Sequence, residues 1–421
     1  MQNTTLFLVT HRFPYGEGET FLQDEIPYLL EAGFRVSILP VSRASGRRAL
    51  PAGVEVSDAL VLTPRQKCAY MLRYGLGRLF WQEVLSGAVP FNARALARLA
   101  YACATVRVHK ERLRAMLTAE ENAGRKGVFY TYWFTPTTCA CAGSHAPVVT
   151  RAHGNDIFPE QNASGYIPLC RWRATLPDMV VPCSRQGAAT LEAQGVPPQR
   201  LAVSYLGVPE AEPQLRIPSP NERILLSCSS AVAIKRLDLL AERVRQYALA
   251  RPECACVWHH VGGGELLAPL AEYCKNHLQG VANLQYVLHG QMPVDAVRAF
   301  MNTTAVDALV NVSASEGVPV SMMEALHAGI PIIGTAVGGI AELVTPDVGM
   351  LLPADANAEA FNAAVDALPR FKSPAARAAI VQAGRQRFSS ANNYRNFCSQ
   401  VLLPLVVAPP LLCPGDNCDP R

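Results

Sequence analysis

Two glutamates, Glu316 and Glu324, stand where a strand pattern gives way to a helix pattern, in the segment from Asn311 to Thr335. The run ending near Ser313 predicts a strand, Glu316 and Gly317 a loop, and Pro319 the first helical turn, where a missing N–H costs nothing. Glu324 then falls one to two turns into the helix. Backbone N–H groups at a helix N-terminus attract phosphate. The carboxyl ends of strands in an open α/β sheet are where ligands bind. An anion with hydroxyl groups at both ends, such as a sugar diphosphonucleoside, meets these features, with Glu324 suited to ribose hydroxyls and Glu316 to sugar hydroxyls. The competing interpretation is a capped helix whose early glutamate favours the dipole. It leaves Gly317, the Glu324 within Met-Met-Glu-Ala-Leu, and the Gly338-Gly339 turn without a reason.

Other residues suggest chemistry less directly. Arg151-Ala-His-Gly-Asn-Asp156 sets His153 beside Gly154 and Asp156 at a predicted strand end. The cluster favours a site histidine over a loop histidine bonded to backbone. In the loop from Phe13 to Thr20, Gly16, Glu17 and Gly18 read as an acceptor-side loop facing a diphosphate, because glycine lets backbone approach a ligand closely. The plainer alternative is a turn with helix-capping glutamates. Gly262-Gly263-Gly264, after Trp258-His-His260, has the look of a phosphate cradle but is weak alone. His259 and His260 with Cys254 and Cys256 do not suit a four-ligand metal, since strand neighbours point to opposite faces. Core packing is expected there, and no metal. Arg65, Lys67, Arg73 and Arg78 lie among Tyr70, Met71, Leu72, Tyr74, Leu76, Leu79, Phe80 and Trp81. Such a basic aromatic surface suits an anionic bilayer, although a solvated helix with its apolar face in the core is the commoner outcome.

These residues need a scaffold, and the hydrophobic pattern supplies one. Strands are expected at 6–10, 35–39, 128–132, 147–151, 179–183 and 201–206, with a helix at 19–32 and mostly helix between 65 and 117. After a proline-rich stretch from Pro209 to Pro220, strands recur at 224–228, 255–261, 284–288, 308–312 and 331–334. Helical stretches at 237–250, 265–277, 293–301 and 321–328 separate them. Strand, helix, strand at this spacing is the crossover unit of a parallel sheet. The expectation is an α/β chain of two Rossmann-like domains with parallel sheets facing a central cleft: 1–208, a linker at 209–220, and 221–388. A C-terminal helix and frayed tail, 389–421, would pack back on the first domain.

The pair Glu316 and Glu324, followed by Ala-Gly-x-Pro and by Gly338-Gly339, resembles the signature of retaining glycosyltransferases of family 4. Phe13 to Leu22, Arg151 to Asp156, Val181-Pro-Cys-Ser184, Tyr205-Leu-Gly-Val208, Ile234-Lys-Arg-Leu-Asp238 and Trp258 to Gly264 fall in that family's order, as in its bacterial capsule, exopolysaccharide and lipopolysaccharide members. The resemblance implies the GT-B fold, transfer from an activated sugar with retention, and no obligatory metal. It implies that Glu316 holds donor-sugar hydroxyls, with Gly317, Val318 and Pro319 near the sugar and diphosphate. Glu324 would bind ribose, Lys235 would neutralise the leaving diphosphate, and His153 would touch the donor sugar. Base recognition would run largely through backbone around His289 and Gly290, with Gly263 also on the donor side. Many members place an arginine five residues before the lysine. Here that position is Ser230, and Arg236 is a substitute only by proximity.

Composition agrees with such a chain. Its 421 residues suit two domains, and 50% hydrophobic with 17% charged residues describes a folded chain. A net charge of +4 calls for no nucleic acid. Thirteen scattered cysteines and an N-terminus without a basic leader fit a cytoplasmic protein, peripheral at the inner face of the membrane if the basic aromatic segment docks. The expected partners are a nucleotide-sugar donor and a glycan or polyprenyl-linked acceptor, with the donor a co-substrate and no cofactor. The rival functions are a catalytically silent sugar-nucleotide-binding partner of a synthase complex, fed by Ser230, and a sugar-nucleotide epimerase of the same build.

Overall fold

The computed structural model describes residues 3–142, 144, 146–162 and 164–407. The chain divides into two compact units, Met1–Tyr205 with the segment from Ala391 onward, and Leu206–Ser390. The first unit contains β1 (Thr4–Thr10), α1 (Phe21–Glu31), β2 (Arg35–Pro40), β3 (Glu55–Val56), α2 (Pro64–Tyr74), α3 (Arg78–Leu85) and α4 (Ala93–Asn122). There follow β4 (Lys126–Thr131), α5 (Pro136–Ala142), β5 (Val148–Ala152), α6 (Gly154–Ile157), α7 (Cys170–Thr175), β6 (Met179–Pro182) and α8 (Arg185–Ala193). Its six strands are all parallel, in the order β3-β2-β1-β4-β5-β6.

The central strands read as continuous apolar runs because both faces are covered. All seven residues of β1 are buried. Phe7 stacks on Phe129 of β4 at 5.2 Å, and the long helix α4 packs Leu99, Cys103, Val106 and Leu113 into the same core.

The second unit repeats the plan. It holds β7 (Glu222–Cys228), α9 (Leu237–Ala250), β8 (Ala255–Val261), α10 (Leu267–His277), β9 (Leu284–Gly290), α11 (Val294–Thr303) and β10 (Ala308–Asn311). Then come α12 (Val320–His327), β11 (Ile332–Thr335), α13 (Ile340–Leu343), β12 (Gly349–Leu352), α14 (Ala358–Asp366) and α15 (Pro374–Phe388). The strand order β12-β11-β10-β7-β8-β9, again all parallel, is the same winding as in the first unit. In each sheet the chain reverses direction beside its first strand, between β1 and β4 and between β7 and β10. Such a switch point opens a crevice at the strands' carboxyl ends.

From Ala391 the chain belongs to the first unit. In α16 (Ser390–Phe397), Arg395 pairs with Glu31 at 2.9 Å. Phe397 lies 4.3 Å from the buried guanidinium of Arg151, which also meets Glu25 at 3.4 Å. The chain continues through a π-helical turn, Cys398–Leu402, into α17 (Leu403–Val407). Most of the expected tail, 408–421, lies outside the described residues.

Three sequence expectations need correction. Residues 201–206 form no strand. They run beside β6 with Ala202 N–H on the Val180 carbonyl (3.2 Å) and Ser204 N–H on Pro182 (3.1 Å), but the Ser204 carbonyl goes to Arg151 instead (3.0 Å). Pro319 caps α12 in an extended conformation rather than occupying its first turn. The short strands β3 and β12 were not expected, being too brief to show a period.

Candidate functional site

In the second unit, two loops meet at the switch point. The loop after β7 ends in a 3-10 turn, Ala233–Lys235, and the loop after β10 carries Glu316. A backbone bond from Ala314 N–H to the Ile234 carbonyl, 2.9 Å, ties them together. Across that tie the Lys235 ammonium donates to Oε1 of Glu316. The same oxygen accepts from Ser313 Oγ at 2.8 Å and from Asn311 Nδ2 at 3.1 Å. Glu316 is buried, at 8% exposure. Three donors, the partly buried Lys235 among them, therefore fix a carboxylate at the mouth of β10.

The glycines after β11 serve this loop. Gly338 has φ +52°, and a side chain there would put its Cβ 1.8 Å from the Glu316 carbonyl oxygen. A Cβ at Gly339 would lie 2.5 Å from the Gly317 carbonyl. Only glycine admits so close an approach.

Arg236 is engaged by backbone. Its guanidinium donates to the carbonyls of Val312 (2.6 Å), Ser313 (3.0 Å) and Ala354 (2.8 Å), so it braces the Glu316 loop. Ser230 is exposed and offers a hydroxyl where the resemblance leads one to expect arginine.

Glu324 lies buried in α12 and pairs with Arg298 of α11 at 2.9 Å. Sequence reading missed Arg298, which falls in the stretch 293–301 expected only to be helical.

The Gly262–Gly264 run packs closely on the loop after β7. A Cβ at Gly262 would strike the Ser229 carbonyl oxygen at 1.9 Å, and one at Gly264 the Ala231 carbonyl oxygen at 2.5 Å. Gly263 N–H donates to Gln291 Oε1 at 3.2 Å, and Gly262 N–H to the Gly290 carbonyl at 2.8 Å. His289 meets His259 at 3.0 Å, and both rings lie edge-on to Phe300. His260 points the other way, to Ser227 Oγ at 2.9 Å, and burial pushes its pKa down to about 4.

In the first unit, the switch point is closed by Glu19, not by the glycines beside it. Its carboxylate accepts from three successive backbone N–H groups, His11 (2.9 Å), Arg12 (2.7 Å) and Phe13 (2.7 Å). Trp133, from the loop after β4, donates its indole N–H to the same carboxylate at 2.6 Å. Arg48 holds the Gly16 and Gly18 carbonyls at 2.9 and 2.7 Å. Gly16 needs its freedom, with φ +71° and a Cβ that would sit 2.9 Å from Ala44. Gly18 has open space around it, and Glu17 is exposed.

His153 begins α6. Its ring stacks on Tyr132 at 5.0 Å and lies 4.6 Å from Trp133. Nε2 donates to the Tyr132 carbonyl at 3.1 Å, which leaves Nδ1 to accept from the Cys183 thiol at 3.4 Å. The residue is half-buried. Desolvation, and then the charge of Arg151, push its pKa down to about 3. A neutral imidazole with both nitrogens engaged can position a ligand but not trade protons near neutrality. Its backbone N–H meets Asp156 Oδ1 at 2.5 Å, while Oδ2 takes Phe134 N–H at 2.7 Å. Asp156 thus ties two loops, and burial raises its pKa to about 7.

Among the described residues no histidine, cysteine, aspartate and glutamate cluster could hold a metal ion, and no helix is long and apolar enough to cross a membrane.

Residues 222–370 match the family described as "Glycosyl transferases group 1". A putative colanic acid biosynthesis glycosyltransferase, WcaL of Salmonella typhimurium, is 28% identical over 204 residues, 47% of this chain and 49% of that protein. The chain spans about half the length of the curated relatives it matches. Among solved structures, Anabaena Alr3699/HepE in complex with UDP and glucose superposes with a TM-score of 0.63 at 15% identity, covering 94% of this chain and 99% of that one. The apo lipopolysaccharide outer core galactosyltransferase WaaB gives 0.64 at 15%, covering 93% and 98%. A second WcaL, from Escherichia coli, is 29% identical over 216 residues, 49% of this chain and 51% of that protein. The fold is GT-B.

Proposed function

We propose that this chain is a retaining glycosyltransferase of family 4. It moves a sugar from a nucleotide-diphosphate donor to a hydroxyl of a glycan or polyprenyl-linked acceptor in surface-polysaccharide assembly. The observation that carries the proposal is the pairing of Lys235 with Glu316 at the switch point of the second unit, with Glu324 held on the following helix. A carboxylate fixed by three donors suits the hydroxyls of a donor sugar. A lysine beside it suits the diphosphate, whose charge grows as the glycosidic bond breaks. Glu324, farther along α12, suits the ribose.

The donor's anionic diphosphate would draw the Lys235 ammonium from Glu316, freeing that carboxylate for the sugar. No side-chain base is assigned, because in a retaining transfer of this kind the leaving phosphate takes the acceptor proton. His153, neutral and with both ring nitrogens engaged, contributes position rather than proton transfer. No metal or cofactor is needed in this scheme. The enzyme acts at the cytoplasmic side, where it meets a lipid-linked acceptor at the membrane surface.

A panel of nucleotide sugars tests the proposal. Nucleoside diphosphate release that requires a glycan acceptor is the expected result. Binding without release would make the chain a silent partner, and isomerised donor without acceptor would make it an epimerase.

A further inference from the structure

The first unit carries an apolar surface that its own core does not use. Thirteen large hydrophobic residues are markedly exposed among the described residues, and five of them fall between 72 and 91: Leu72 (83%), Leu76 (61%), Trp81 (53%), Leu85 (83%) and Phe91 (94%). Helix α2 buries none of its residues, and α3 buries only Phe80 and Glu83. Spacing puts Trp81 and Leu85 on one face of α3, with Arg78 a turn earlier on the same stripe. A monomer seldom exposes so many large apolar side chains within one short stretch of chain without a use for them.

Charge identifies what the surface meets. Between residues 59 and 110 there are eight lysines and arginines and a single acidic residue, Glu83. That glutamate is turned inward, 2% exposed, accepting from Tyr166 OH at 3.2 Å and Leu169 N–H at 3.1 Å. Arg65, Arg73, Arg78 and Arg94 are exposed around the apolar residues. Two copies of this face would oppose like charges, which disfavours self-association. An anionic bilayer satisfies both features at once, since apolar side chains enter the interfacial region while cations meet lipid phosphates.

We infer that the surface formed by α2, α3 and the Pro90–Phe91 turn docks this chain on an anionic membrane. It shares with the proposed function the idea of a lipid-linked acceptor, but lipid binding is read without turnover, so either can fail alone.

Co-sedimentation of the full chain with phosphatidylcholine vesicles, with and without phosphatidylglycerol, tests this. Binding is expected only with phosphatidylglycerol and should weaken as salt rises. The double variant Arg73→Glu, Arg78→Glu should lower partitioning by about tenfold or more. The triple variant Leu72→Ser, Leu85→Ser, Phe91→Ser should do likewise while keeping the parent's melting temperature, because these side chains are outside the core. Equal recovery in the supernatant with both vesicle types overturns the inference. So does binding that both variants retain, or a parent dimer that the triple variant turns into a monomer.

Discussion

Lys235 and Glu316, 81 residues apart in the chain, form an ion pair that bridges the two loops at the switch point of the second unit. The lysine follows β7 and the glutamate follows β10. A ligand entering this crevice would therefore contact both loops or separate them.

Lys235→Ala should reduce turnover and weaken nucleoside diphosphate binding together. A hydrogen bond to a charged group contributes about 1.5–3 kcal/mol, roughly a tenfold to hundredfold loss in affinity. Isothermal titration with nucleoside diphosphates, beside initial rates, reads both. Unchanged affinity and turnover in a folded variant would remove Lys235 from the site.

Arg298 is expected to act through Glu324. Replacing it with methionine keeps most of the side-chain volume and leaves a largely buried carboxylate without its guanidinium partner. The donor KM should rise while kcat at saturation changes little, and Arg298→Lys should recover part of the loss. A fall in kcat with unchanged KM would contradict this role.

Glu19→Gln should loosen the loop after β1. A single amide oxygen cannot serve four donors, and the new NH2 faces N–H groups. The expected cost is about 1–3 kcal/mol of stability, read as a lower melting temperature. A variant as stable as the parent would show that the four bonds contribute nothing net.

His153 should stay neutral throughout the working range. Its folded pKa of about 3 lies below its unfolded value of 6.5, so unfolding takes up a proton between those limits. The stability from burying it neutral is complete above pH 6.5 and declines as pH falls toward about 3. Histidine NMR titration should find no His153 inflection between pH 5 and 8, and the kcat/KM profile should lack a limb that His153→Asn removes. An inflection near pH 6.5 would contradict a ring held neutral by its surroundings.

Much of this was legible in the sequence. Alternating strand and helix periods gave ten of the twelve strands, and the spacing of Glu316, Glu324 and Gly338-Gly339 marked the loop that the structure builds around Glu316. What stayed hidden depends on contacts between distant positions. Glu19 and Trp133 are 114 residues apart, and nothing near Glu19 distinguishes it from Glu17. Arg298 shows its purpose only once α11 lies beside α12. Arg236 stood out only by its proximity to Lys235, because the carbonyls that engage it are backbone atoms, which sequence cannot rank.

The most direct test separates the two glutamates. On the proposed function Glu316 would sit where charge develops on the sugar ring, so its interaction should strengthen in the transition state, whereas Glu324 would face a ribose that does not change. Donor saturation at fixed acceptor, with Glu316→Gln and Glu324→Gln compared to the parent, reads this difference. Glu316→Gln should lower kcat and kcat/KM together, and Glu324→Gln should chiefly raise the donor KM with kcat nearly kept. Turnover lost in Glu324→Gln, with only a raised KM in Glu316→Gln, would reverse the two roles. Two folded variants with the parent's kinetics would place the reacting centre elsewhere and contradict the account.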